Sequence, residues 1–121
     1  MTGIALDHVQ IAIPAGGEDD ARQFFGVLLG LAEVDKPEAL QARGGLWFEL
    51  DGGVGFHLGV DAAFRPATRA HAGLRLGAFD AALARLETAG VAVQRDVDSL
   101  GRRRAYLHDP FGSRLELIEG T

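Results

Sequence analysis

The chain has 121 residues, 47% of them hydrophobic, which suits one domain with a real core. Twelve Lys+Arg against 17 Asp+Glu leave a formal charge of -5, so neither nucleic acid nor an anionic membrane is an electrostatically natural partner. There is no cysteine, no apolar run near the ~20 residues of a membrane span, and no charged segment leading into an apolar one. These totals point away from a disulfide scaffold, thiol catalysis and a transmembrane protein, and make a soluble cytoplasmic protein the expectation.

Taken in order, Ile4 to Ile13 alternates, with Val9, Ile11 and Ile13 on one face and His8, Gln10 and Ala12 on the other, which predicts a half-buried strand. Pro14-Ala15-Gly16-Gly17 breaks it. Glu18, Asp19 and Asp20 then favour a helix start, and Phe24, Phe25, Leu28 and Leu29 form an apolar stripe that Gly30 ends. Leu31 to Lys36 reads as a short strand, followed by a polar loop. Leu46, Phe48 and Leu50 alternate with Trp47, Glu49 and Asp51, and Gly55 to Val60 returns with Phe56 and Leu58 on one side and His57 on the other. Asp61 to Arg69 looks like a connector.

The pattern then restarts. His71 to Leu76 alternates, a helix is predicted from about Phe79 to Ala89 with Gly90 as its stop, and Val91 to Arg95 reads as a strand. Arg102 and Arg103 fall in a solvated loop. A last hairpin runs from Tyr106 to Glu119 around Asp109-Pro110-Phe111-Gly112, with Leu115 and Leu117 facing one way and Arg114, Glu116 and Ile118 the other. Gly30 and Gly90, like His8 and His71, stand about 60 residues apart, the mark of an internal duplication of a βαβββ unit. The expected fold is α+β: two tandem βαβββ modules (about 4–60 and 70–121, linker about 61–69) whose curved mixed sheets surround a cavity, with helices on the convex side.

The duplication gives four residues corresponding places. His8 and His71 open their modules, His57 and Glu116 lie on the last strands, and all four point away from the apolar faces. Three imidazoles and one carboxylate suit a divalent ion with one or two positions left open. His108 adjoins the Asp109-Pro110 turn and is read as structural or exposed.

These residues carry a resemblance. Asp7-His8-Val9, Phe25 to Leu31, Gly45-Leu46-Trp47-Phe48, Ala70-His71-Ala72 and Asp109-Pro110-Phe111-Gly112 through Arg114-Leu115-Glu116-Leu117 resemble the vicinal oxygen chelate superfamily of glyoxalases, bleomycin-resistance proteins and extradiol dioxygenases. By that resemblance His8, His71 and Glu116 match metal-ligand positions and His57 the fourth. The resemblance implies one divalent ion per site (Zn, Ni, Mn or Fe), a small-molecule substrate or antibiotic, and a homodimer sharing a cavity. Gln10, Trp47, Glu49, Arg104 and Tyr106 share the ligand-bearing face. Of these, Gln10, Trp47, Arg104 and Tyr106 are read as substrate contacts, and Glu116 or Glu49 as the group that moves a proton. The implied activity is a glyoxalase-like lyase, isomerase or thiol transferase. The alternatives are a metal-free antibiotic-binding protein and an extradiol-type dioxygenase, the latter disfavoured because His57 occupies a position that oxygen or substrate needs.

Overall fold

The computed structural model describes residues 2–120. The chain folds as two compact units that divide between Arg65 and Pro66. Each is a four-stranded mixed sheet with one helix.

In module one, β1 (His8–Ile13) is followed by α1 (Glu18–Ala21), which runs directly into a π-helical stretch, Arg22–Leu28. The wider winding is visible in the Leu29 N–H, which donates to the carbonyl of Phe24 at 3.0 Å. Then come β2 (Ala32–Val34), a 3-10 segment (Glu38–Arg43), β3 (Leu46–Glu49) and β4 (Gly55–Val60). The sheet order is β1-β4-β3-β2, with β1 parallel to β4 and the remaining pairs antiparallel. One face packs on the helix. Phe25, fully buried, touches Phe48 and Phe56 at ring-centroid distances of 6.3 and 5.6 Å, with Leu46, Leu58 and Ile13 buried around them.

Module two repeats the plan. β5 (Ala72–Leu76), α2 (Phe79–Thr88), β6 (Gln94–Val97), β7 (Arg103–His108) and β8 (Arg114–Glu119) give the order β5-β8-β7-β6, again with the first and last strands of the module, β5 and β8, paired in parallel. Phe79, Leu83 and Leu86 of α2 are buried, as are Leu74, Ala105, Leu107, Leu115 and Leu117 of the sheet. The hairpin between β7 and β8 turns as the composition requires. Gly112 sits at φ +92, and the Asp109 carboxylate accepts the N–H groups of Phe111 and Ser113 at 2.9 and 3.0 Å.

Several boundaries differ from the alternation pattern, and β2, read as Leu31 to Lys36, spans only Ala32–Val34. β1 begins at His8, not Ile4, because its partner β4 begins at Gly55; Ile4 and Leu6 remain exposed. β6 begins at Gln94, not Val91, because the Val91 N–H is drawn back to the Leu86 carbonyl at 3.0 Å as the closing bond of α2, after Gly90 at φ +88. Arg103 is not a loop residue. It lies on β7, its guanidinium bonded to Asp80 at 2.8 Å and to Glu119 and set 5.3 Å from the Phe79 ring, so it ties α2 to the sheet. Both carboxylates are held below their usual range by that arginine.

Candidate functional site

The strand registers show how faithfully the duplication is kept. His57 is the third residue of β4 and Glu116 the third of β8. Across the sheet, Gln10 and Trp47 flank His57 as Gly73 and Tyr106 flank Glu116. Glu49 and His108 likewise hold corresponding places, opposite Gly55 and Arg114.

In module one, strand alternation puts His8, Gln10, Trp47, Glu49 and His57 on the face opposite Phe48 and Phe56. Three rings stack there. The His57 imidazole lies 3.9 Å from the Trp47 ring at 1° and 4.8 Å from the His8 ring at 21°. Removal from water, then the neighbouring His8 charge, lower the His57 pKa, with Asp7 acting in the opposite direction. His57 is therefore neutral at pH 7 and has a nitrogen lone pair to offer. Nδ1 of His8 lies 2.7 Å from the Asp7 carboxylate, which fixes the proton on Nδ1 and leaves Nε2 as the free donor atom. Glu49 is exposed two residues beyond Trp47.

Glycine makes the stack possible. A Cβ on Gly55 would fall 2.7 Å from His57 Nε2 and 2.9 Å from His8 Cβ, and one on Gly59 would fall 2.4 Å from Gln10 Nε2. These two residues bracket His57 on its own face, and glycine inside a strand is the signal in the sequence that marks such close approach.

In module two, His71 Nε2 lies 3.0 Å from Glu116 Oε1, and His71 Nδ1 lies 2.8 Å from the Arg69 carbonyl. A carbonyl only accepts, so Nδ1 carries the proton. In a neutral ring Nε2 then presents a lone pair to a carboxylate oxygen, a contact satisfied either by an imidazolium or by a cation held between the two. Arg104 is already engaged: Nε donates to Asp96 at 2.5 Å, and another guanidinium nitrogen lies 3.6 Å from Glu116. Tyr106 meets the His71 ring edge-on at 5.6 Å, and the Arg104 and Arg114 guanidinium carbons stand 4.9 and 4.0 Å from the phenol ring centre.

The candidate ligands thus form two pairs, His8 with His57 and His71 with Glu116. Among the described residues, no group of three or more His, Cys, Asp or Glu side chains is gathered where one ion could be held. The donor chemistry of each pair nevertheless suits a divalent ion: Nε2 atoms freed by an Nδ1 partner, a ring kept neutral, and a carboxylate facing an imidazole nitrogen.

Residues 5–117 match the model of the glyoxalase/bleomycin resistance protein/dioxygenase superfamily, and the chain belongs to that superfamily. It is similar to a crystal structure from Bacillus anthracis described as a glyoxalase family protein, with 40% identity, 98% of this chain and 96% of that chain covered, and a TM-score of 0.89. A glyoxalase/dioxygenase from Nostoc punctiforme is 22% identical over 97% of this chain and 91% of that one, with a TM-score of 0.77. The oxidase ChaP-H1 is 22% identical over 98% of both chains, with a TM-score of 0.75. These last two share the fold. A comparison with curated proteins finds no match.

Proposed function

We propose that the protein is a divalent-metal-dependent enzyme of the glyoxalase type, a lyase, isomerase or thiol transferase, acting on a small substrate chelated through oxygens. One observation carries this reading: His71 spends Nδ1 on the Arg69 carbonyl and turns Nε2 toward Glu116 at 3.0 Å, a ready two-atom grip on a cation. The His8 and His57 pair supplies two more nitrogens from module one. The full set of four draws on both kinds of module, from one chain or from a homodimer that shares its cavity.

An ion bound there would act as a Lewis acid on the chelated oxygens. The chain's own groups would do the rest. Trp47 offers an apolar wall, Gln10 and Tyr106 donate hydrogen bonds, and Arg104 steadies Glu116 from the side opposite Asp96. Glu116 or Glu49 would take the proton in an isomerisation. Zn, Ni, Mn and Fe all remain candidates by donor type.

The second reading is metal-free sequestration of an antibiotic-like molecule, which needs no ligand set. Equilibrium dialysis of the purified chain against Zn²⁺, Ni²⁺, Mn²⁺ and Fe²⁺ separates the two. The enzyme reading expects about one tightly held ion per chain; absence of uptake for all four selects sequestration.

A further inference from the structure

One departure of module two from the duplication lies beside Glu116. The place that Gly55 holds beside His57 is held by Arg114 beside Glu116, the first residue of β8. Where glycine lets the module-one rings close on one another, the arginine stands 4.0 Å above Tyr106 and borders a cavity of about 410 Å³. Thr68, Gln94, Tyr106 and His108 line the same cavity, with Val93 among its apolar residues. The volume falls in the range of small-ligand sites.

The charges around it are uneven. Arg104 is flanked by two carboxylates, Asp96 and Glu116, so that cluster carries a net negative charge. Among the described residues no carboxylate lies within ion-pair distance of Arg114, a half-buried guanidinium whose planar fork can pair a carboxylate through two parallel hydrogen bonds. Thr68, Gln94 and Tyr106 add neutral donors. Arg114 balances one negative charge on a ligand, and a second would meet the negative charge of the neighbouring cluster while no ion is bound at Glu116.

We infer that this cavity is a binding subsite for a small organic monocarboxylate, with Arg114 pairing its acid group and Tyr106 and Val93 contacting its apolar body. Its existence does not depend on a metal; only its use as an anchor for the acid group of a substrate rests on the function proposed above.

The test is an NMR titration of the full chain with benzoate, with and without added Zn²⁺, compared with benzyl alcohol and phenylphosphonate. Benzoate should saturate one site and shift the Arg114 and Gln94 side-chain resonances in both conditions, while the neutral alcohol and, without Zn²⁺, the dianion bind at least about tenfold more weakly. Arg114→Gln should cost about tenfold or more and Arg114→Lys less, because lysine keeps the charge but loses the fork. Should Arg114→Gln fail to fold, Gln94→Ala is the variant read, with a smaller loss expected. Equal binding of benzyl alcohol, affinity unchanged in the variants, or shifts seen only with Zn²⁺ and only at His71 and Glu116 would overturn the proposal. The last outcome would leave the metal reading intact.

Discussion

The His57 imidazole lies flat against the Trp47 indole, with centroids 3.9 Å apart and planes 1° apart. The indole covers one face of the ring, and burial, ahead of the neighbouring His8 charge, lowers the His57 pKa. Trp47→Ala should therefore move it up toward the ordinary value of 6.5, and His8→Ala should do so to a smaller extent because the neighbouring charge ranks second to burial. An NMR pH titration of the ring protons measures both. A His57 titration unmoved by either change would mean that the stack does not control this residue.

Gly55 and Gly73 are both strand glycines but have different room. A methyl at Gly55 meets His57 Nε2 at 2.7 Å and His8 Cβ at 2.9 Å, whereas at Gly73 the nearest atom is 3.7 Å away. Gly55→Ala should cost about 1–3 kcal/mol of stability by overpacking and should disturb the histidine pair, while Gly73→Ala is tolerated. Urea denaturation of the two variants makes the comparison, and equal stability would show that the rings can part without cost.

Glu116 is half-buried on the face away from the core. Glu116→Ala should therefore abolish or strongly weaken divalent-ion uptake and change the melting temperature by only a few degrees, within the range of roughly 1 kcal/mol expected for a residue outside the core. Calorimetry and dialysis on one preparation give both numbers. A collapse in stability with unchanged ion affinity would place Glu116 among the structural residues.

Asp109 responds to acid in the opposite direction from the ion pairs. Its carboxylate is 6% exposed, and burial raises its pKa against the lowering effect of the backbone N–H groups of Ser113, Phe111 and Gly112. A raised folded-state pKa means that its contribution is fully present below the unfolded value of 3.8 and is lost as pH climbs through the folded value. Asp80, Glu87, Asp98 and Glu119, all lowered by arginine partners or backbone donors, lose their contribution as pH falls. Asp109→Asn keeps the acceptor and removes the charge. Its stability relative to the parent should rise with pH above about 4 and then level off; a difference independent of pH would contradict the assignment.

Much of this was legible before any coordinates, for a physical reason. Strand alternation sorts side chains by face, so Phe48, Phe56, Leu115 and Leu117 declare the core and, by exclusion, place Trp47, His57 and Glu116 on the other side. The duplicated spacing then makes His57 and Glu116 counterparts, as the registers bear out. Alternation cannot say where a strand finds its partner. Ile4 and Leu6 look like strand but have none, and Val91 looks like strand but is bound to Leu86 at the end of α2. Nor does it reveal which arginine is already spent. Arg104 looked free because Asp96 lies on β6, whose register was not readable from composition. The bracketing of His57 by Gly55 and Gly59 was in plain view, and its meaning emerges only when the Cβ clashes are measured.

In the proposed function His8, His57, His71 and Glu116 together hold one ion. X-ray absorption on the Zn²⁺-loaded chain tests it most directly, because the scattering counts imidazoles around the metal. Three histidine nitrogens and one carboxylate oxygen are expected at roughly 2.0–2.2 Å, with one nitrogen lost in His57→Ala. A shell holding only one imidazole, or one unchanged by that substitution, would contradict it.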